Sequence, residues 1–298
     1  MRLQSLSVVL MFTAVAGMAQ SSHSLSHSAP SPGDAPPSHS TSLRTPDGRV
    51  PRRHPPRRIE PGTPEAFYDP VKHVTVSYNK AWAGYAVTGS NFKQVSGSWT
   101  VTPVDCTASP KSDSSQWVGI DGWTSDTVEQ TGTDSDCDGD QPSYYVWYEF
   151  YPRGTVVISS VSIAPGDNFV ASVVYKGNNL YTIAIKNTTT NQSFAKEVEF
   201  TGSRGATPEW NSAEWIMEMD GRELSDFGTE PFGAYYTGIP NGNNAAIDSA
   251  VSGVISDFGA AVQESITTRN GSDGSTETSV PSDLASDGSG FTVTWKAE

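Results

Sequence analysis

Beyond position 73 the chain has no histidine; all five histidines among its 298 residues lie at or before that point. If the leading segment is removed, imidazole chemistry leaves with it. That excludes Ser-His-Asp and Cys-His catalysis and takes away the commonest zinc ligand. Cysteine is scarce too, with only Cys106 and Cys137. In an exported protein these are expected to form one disulfide, a pair of free thiols being the alternative, and a disulfide leaves no thiol nucleophile. No run past the first 19 residues is apolar enough to span a bilayer. What remains for chemistry is carboxylates, amides, hydroxyls, phenols and a few lysines. The choice narrows to carboxyl chemistry at low pH or to no catalysis at all, and no cofactor is expected.

Positive charge is sparse and badly distributed. The formal charge is −14, yet residues 1–75 carry eight Lys/Arg against five Asp/Glu, and the remainder carries eleven against twenty-eight. A surface that negative repels phosphates, so nucleic acid is excluded as a partner. Near the intrinsic carboxyl pKa, roughly 4, most of that repulsion disappears, which suits an acidic working environment; simple solubility is the alternative.

The start reads as a secretory signal, residues 1–19. Arg2 supplies the positive end, Leu6 to Ala16 the short apolar stretch, and Gly17-Met18-Ala19 the small residues of a cleavage site. The remaining product is expected to be secreted, monomeric and without a membrane anchor. Residues 20–73 are rich in Ser, Pro, His and Arg and cannot bury enough surface to fold alone. They read as a largely disordered, basic propeptide. Its Arg52-Arg53 and Arg57-Arg58 cluster could hold it against the acidic domain as an inhibitor at neutral pH. A disordered linker or a wall-facing tail is the alternative.

From Val74 to the end the texture is that of many short strands, alternating apolar and polar and separated by Gly, Asn, Asp and Pro. Expected strands include Trp82–Val87, Val95–Val101, Trp117–Asp121, Thr127–Thr131, Tyr144–Tyr151, Val156–Ile163 and Asn168–Tyr175. Others are Tyr181–Asn187, Ala195–Thr201, Ala213–Met219, Phe232–Thr237, Val262–Thr268 and Phe291–Trp295. Thirteen strands with little or no helix predict an all-β, concanavalin-like sandwich of two packed antiparallel sheets, residues 74–298 forming one domain.

Strand alternation sorts the side chains by face. Val118 and Ile120 point to the core, so Trp117, Asp121 and Trp123 point away. Tyr145, Trp147 and Glu149 share one face of their strand. Aromatics beside carboxylates on two strands suit an extended peptide or a sugar chain. Glu214, Ile216 and Glu218 share a face of a third strand, and a carboxyl beside Trp215 and Ile216 can have its pKa raised by desolvation. Gln130 is ordinary surface polarity unless a carboxylate faces it.

Four segments in order carry a resemblance. They are Trp117-Val118-Gly119-Ile120-Asp121-Gly122, Gln130-Thr131-Gly132-Thr133-Asp134, Tyr145-Val146-Trp147-Tyr148-Glu149-Phe150-Tyr151-Pro152 and Ala213-Glu214-Trp215-Ile216. Together they resemble the glutamic peptidases, the eqolisin family, with Trp82-Ala83-Gly84-Tyr85 and Val95-Ser96-Gly97-Ser98-Trp99 similar to its N-terminal strands. The family often has Asn directly before the first Trp; here Asn79 stands three residues before Trp82. The resemblance implies a secreted acid endopeptidase precursor without metal. It implies Gln130 and Glu214 as the catalytic pair, and Trp82, Trp117, Asp121, Asp134, Trp147 and Glu149 along the substrate groove, with Glu218 as a neighbour. The implied reaction is direct attack by water, Glu214 as base then acid and Gln130 as donor to the oxyanion.

Rival readings use the same residues. A glycosidase could employ Asp121, Glu149 and Glu214, and a sugar-binding sandwich could employ the tryptophans. A pepsin-like enzyme is disfavoured, since neither Asp-Thr-Gly nor Asp-Ser-Gly occurs. Asp134-Ser135-Asp136-Cys137-Asp138-Gly139 matches half of a calcium loop but has Tyr145 where the pattern wants Glu, so an acidic loop pinned by a disulfide is expected. Asn187, Asn191 and Asn270 lie in glycosylation sequons.

Overall fold

Valine, threonine and aromatic residues at alternate positions favour extended chain almost throughout. The computed structural model describes residues 40–57, 65–219, 223–240, 242–247, 251–269 and 276–296. The expected signal segment, the leader up to residue 39, Arg58 and the Asn270 sequon lie outside these residues. The strands are, in chain order, β1 (Thr41–Ser42), β2 (Phe67–Asp69), β3 (Val74–Asn79), β4 (Trp82–Thr88), β5 (Phe92–Thr100), β6 (Ser112–Ile120) and β7 (Val128–Asp138). There follow β8 (Gln141–Tyr151), β9 (Val156–Ile158), β10 (Asn168–Gly177), β11 (Leu180–Asn187), β12 (Gln192–Glu199), β13 (Ser212–Glu218) and β14 (Glu223–Leu224). The last are β15 (Thr229–Phe232), β16 (Asn244–Ile247), β17 (Val251–Val254), β18 (Val262–Thr268), β19 (Glu277–Pro281) and β20 (Phe291–Trp295). Among the described residues the helices are α1 (Ala234–Thr237) and a 3-10 stretch, Ile255–Ala261.

One sheet runs β2–β3–β18–β4–β13–β6–β7–β8–β9–β1. The other runs β12–β11–β10–β5–β16–β17. Strands β15, β20 and β19 join the two along one side, pairing in turn from β5 to β18. Pairing is antiparallel except for β18 with β3 and the short β14 with β6. The all-β sandwich expected from the sequence is what forms.

Between the sheets lies one large apolar cluster that includes Val118, Ile120, Trp99, Phe169, Ile183, Ile185, Trp215 and Met217. Burying each such side chain is worth about 1.5–3 kcal/mol. Strand β13 shows how this core positions a site. Ala213, Trp215 and Met217 enter the inter-sheet cluster, so Glu214, Ile216 and Glu218 must emerge on the outer face. Cys106 and Cys137 are bonded to each other.

Several expectations need correction. Asp134–Asp138 is not a loop: it is the end of β7, paired with β8 residue by residue. The expected strand Phe232–Thr237 stops at Phe232, because Gly233 takes φ 86° and turns the chain into α1. The expected strand Val156–Ile163 ends at Ile158. Asn187 is buried, and its amide donates to the Ser162 carbonyl at 2.9 Å and to Asp167 at 2.8 Å, so it offers no free sequon nitrogen. Among the described residues no helix is long and apolar enough to cross a membrane.

The described part of the leader, residues 40–57, is not a loose tail. Its β1 extends the first sheet at β9, and residues 51–57 cross that sheet's outer face. A polar, proline-rich segment cannot build a core by itself. It can order on a surface that supplies opposite charge, aromatic faces and hydrogen-bond partners, and this one does.

Candidate active site

Directly paired residues on neighbouring strands share a face of the sheet. Across β4, β13, β6, β7 and β8 this produces three parallel rows. The first is Ala86, Glu214, Gly119, Gln130 and Glu149. The second is Gly84, Ile216, Trp117, Gly132 and Trp147. The third is Trp82, Glu218, Ser115, Asp134 and Tyr145. Gln130 and Glu214, 84 positions apart in the chain, thus stand two strands apart in one row on one face. Two strand spacings are about 9–10 Å between backbones, and the residue between them is glycine. A Cβ at Gly119 would lie 3.2 Å from Gln130 Cβ and 2.9 Å from a Trp117 ring carbon. Any side chain at Gly119 would collide with these neighbours, so the glycine is what lets the row close up between Glu214 and Gln130.

Indole groups hold the flanking carboxyls. Trp147 Nε1 donates to Asp134 Oδ1 at 2.7 Å, and the Ser115 hydroxyl donates to the same oxygen. Trp117 Nε1 donates to Glu218 Oε2 at 2.8 Å. Trp82 and Trp117 pack edge to face at 4.8 Å. Asn79 fixes the entry of β4: its Oδ1 accepts the backbone N–H groups of Ala81 and Trp82, and its Nδ2 donates to the Trp82 carbonyl at 2.8 Å. Asn79 does its work although it stands three residues from Trp82.

The leader fills the recess above these rows. His54 is fully buried and lies flat on Trp147, ring centroids 3.7 Å apart and planes 4° from parallel. Its Nδ1 is 3.4 Å from Glu218 Oε2, and its Nε2 is 3.7 Å from Asp134 Oδ2. Its backbone N–H donates to Glu149 Oε2 at 2.7 Å. Its backbone carbonyl accepts from Gln130 Nε2 at 2.7 Å. On one side Arg52 pairs with Asp113 at 3.2 Å and Asp136 at 3.0 Å, and its carbonyl accepts from the Thr155 hydroxyl. On the other side the Arg57 N–H donates to the Gly122 carbonyl at 3.0 Å, while its guanidinium lies 4.2 Å over the Trp123 ring and donates to Ser77.

Burial sets the protonation states. It pushes the Glu214 carboxyl well above the usual range, against a smaller opposing pull from the Ser212 hydroxyl; neither carboxyl oxygen has a well-formed hydrogen bond. Asp134 is likewise raised, by burial first and by the neighbouring Asp136 second. The imidazole of His54 is pushed down by burial and by Arg52, so it is neutral. A neutral imidazole beside an Asp134 carboxyl of raised pKa is the state a dry recess favours.

Of the eight residues singled out from the sequence, seven stand in the rows: Gln130, Glu214, Trp82, Trp117, Asp134, Trp147 and Glu149. Asp121 is the exception. Strand β6 ends at Ile120, and Asp121 takes φ 70°. Its carboxylate accepts the backbone N–H groups of Glu209, Trp210 and Asn211 at 2.9, 2.9 and 2.8 Å. It clamps the segment leading into β13 and stands outside the three rows, close enough to Glu214 for its charge to raise that carboxyl's pKa. Sequence reasoning missed Asp113, Asp136, Ser115 and Gly119 as parts of the site. Only their alternation with Trp117 and Asp134 along β6 and β7 hinted at a shared face.

By fold and site this is an antiparallel β-sandwich whose outer face holds a stretch of the chain's own backbone against an amide and a buried carboxyl. Residues 80–280 match the Peptidase A4 family, and the chain belongs to that family. Aspergillopepsin-2 of Aspergillus niger is 33% identical over 180 residues, 52% of this chain and 63% of that protein. Scytalidopepsin B of Scytalidium lignicola is 33% identical over 172 residues, 55% of this chain and 62% of that protein. The chain therefore spans less than two-thirds of the length of either relative. A crystal structure of scytalido-glutamic peptidase with a transition state analog inhibitor matches with a TM-score of 0.59 at 22% identity, over 73% of this chain and 98% of that one. A structure of SCP-B, described as a member of the eqolisin family and in complex with the tripeptide Ala-Ile-His, gives 0.56 at 21% identity, again over 73% and 98%. At such identities the likeness is one of fold.

Proposed function

We propose that this protein is an acid endopeptidase, made as an exported precursor, which hydrolyses peptide bonds by direct attack of water. Membership of the Peptidase A4 family supports the reaction class. The observation that carries the residue roles is the 2.7 Å hydrogen bond from Gln130 Nε2 to a peptide carbonyl, that of His54, in the same row as Glu214. An amide donates at every pH without titrating, so it can follow the carbonyl oxygen as negative charge develops there. Glu214, as carboxylate, takes a proton from the attacking water and passes it to the leaving nitrogen. Its pKa is high while the leader covers it. Water entering the opened groove restores solvation and brings the carboxyl back toward acidic working values. The bound main chain, held at both the N–H and the carbonyl of His54, favours polypeptide over carbohydrate as substrate.

The leader acts as the inhibitor. It covers the row that holds Gln130 and Glu214, and two effects of acid favour its release, against an opposite pull from Glu214 and Asp134, whose pKa values are raised by burial while the leader covers them. Protonation of Asp113 and Asp136 abolishes their attraction to Arg52. His54 titrates below its ordinary value when bound and near 6.5 when free, so the free form binds more protons, and lowering pH through that window favours release. The groups facing His54 are Asp134, Glu149 and Glu218 from the sheet and Arg52 from the leader.

The test is to acidify the full-length protein and assay cleavage of denatured protein. Gln130→Ala and Glu214→Gln should each lower kcat/KM roughly 100- to 1000-fold or more with the unfolding midpoint largely kept. Full activity in either variant overturns the assignment. A leader that stays bound after acidification overturns the inhibitor reading.

A further inference from the structure

We propose that residues 52–57 lie in the register of a substrate, with the His54–Pro55 bond at the catalytic pair, and that Pro55 is what makes the leader an inhibitor instead of a substrate. This rests on the reading of Gln130 as oxyanion donor and of the leader as inhibitor, and goes beyond both.

The register follows from main-chain contacts. Gln130 Nε2 donates to the carbonyl of His54, the acyl group of the bond to Pro55. Glu149 accepts the N–H of the same residue, so both backbone polar groups of His54 are engaged, as in a strand laid on the row. Anchors on both sides keep the bond there. Upstream, the Arg52 N–H donates to the Tyr145 hydroxyl at 3.3 Å and its guanidinium reaches Asp136 at 3.0 Å. Downstream, the Arg57 N–H donates to the Gly122 carbonyl. A blocking segment needs only to cover the site. This one presents a carbonyl to the donor and crosses to the leaving-group side.

The chemistry explains why that bond survives. Hydrolysis adds a water oxygen to the His54 carbonyl carbon and breaks the bond to the nitrogen of residue 55. The proton taken from water by Glu214 ends on that nitrogen, leaving a carboxyl on His54 and a free amine on residue 55. In proline the nitrogen carries ring carbon Cδ where other residues carry hydrogen. The ring resists the reshaping the nitrogen needs in order to take the proton, and it crowds the approach of the acid. Two consecutive prolines also pre-set φ near −65°, and the residue before a proline is held extended. The leader therefore binds with little loss of freedom and offers a bond that does not turn over.

The experiment compares the full-length protein with its Pro55→Ala and Pro56→Ala variants after acidification, reading cut sites by intact mass and N-terminal sequencing. The expected result is a fragment beginning at position 55 from Pro55→Ala, absent from wild type and from Pro56→Ala. Adding Glu214→Gln to Pro55→Ala should abolish it. A synthetic peptide of residues 50–57 is then added to the acid-activated wild-type protein. It should inhibit and stay intact, while its Pro55→Ala form should be cut between 54 and 55 and lose inhibition as it is consumed. A Pro55→Ala leader or peptide that is never cut there, or is cut only elsewhere, overturns the register. If the wild-type peptide does not inhibit at all, the inhibitor reading fails first, and the two failures are told apart.

Discussion

Replacing Gly119 with alanine adds one methyl group between Glu214 and Gln130 in their shared row. The backbone at Gly119 is ordinary extended chain, so the substitution introduces no dihedral strain; its effect is steric. The new carbon would lie 2.9 Å from a Trp117 ring carbon, 3.1 Å from Val128 Cγ1 and 3.2 Å from Gln130 Cβ. Overpacking of this kind costs about 1–3 kcal/mol, a fall in Tm of several degrees for a domain of this size. The activity effect should be larger. Relief of the contact moves Gln130 or the Trp117 ring by a few tenths of an ångström to an ångström, and a displacement near 1 Å in a reacting array costs on the order of 100-fold in rate. Cleavage of denatured protein at acid pH gives kcat/KM, and thermal unfolding at the same pH gives Tm. The expected outcome is a kcat/KM reduced about 100-fold in a protein that still folds cooperatively. Wild-type kcat/KM at a wild-type Tm would show that the pair does not act across Gly119, and would refute the reasoning.

Further outcomes concern stability and the leader. Glu230 is fully buried, and burial pushes its pKa up to about 8, so its contribution is fully present below about 4.5 and is lost as pH rises through 8, on the order of 5 kcal/mol in all. Urea unfolding at pH 4 and 8 should show a smaller drop for Glu230→Gln than for wild type, and equal drops would count against the burial effect. Asp121→Asn keeps one acceptor oxygen for three backbone N–H groups and should lower stability by about 1–3 kcal/mol, with unchanged KM in the surviving folded fraction. Replacing Cys106 and Cys137 together by serine opens a loop closed across 31 positions and should cost about 3–4 kcal/mol, measured as a loss of urea midpoint. Arg52→Ala leaves Asp113 and Asp136 buried without their leader cation; at neutral pH a leader peptide carrying it should bind at least about 100-fold more weakly, and undiminished inhibition would remove electrostatics from the account of the leader.

Much of this was legible from local pattern, because alternation is a local property. Tyr145, Trp147 and Glu149 share a face because they are two residues apart in extended chain, and β11, β18 and β20 begin and end within a residue of where their hydrophobic alternation does. The absence of histidine from the domain limited the chemistry to carboxyls and amides before any fold was known. Boundaries set by backbone turns were less visible: Gly233 and Asp121 each take positive φ and end the extended chain where side-chain pattern alone would continue it.

By itself the sequence determined the all-β class, the faces of individual strands, the acidic character of the domain and the four motifs that resemble glutamic peptidases. Only the tertiary structure decided which strands are neighbours. Placing β6 between β13 and β7 is what sets Glu214, Gly119 and Gln130 in one row, and such pairing depends on contacts distant in the chain, which no local periodicity encodes. The leader makes the same point more strongly. A basic, proline-rich stretch has no core of its own, so its order, its register on Gln130 and the burial of His54 come entirely from the surface on which it lies.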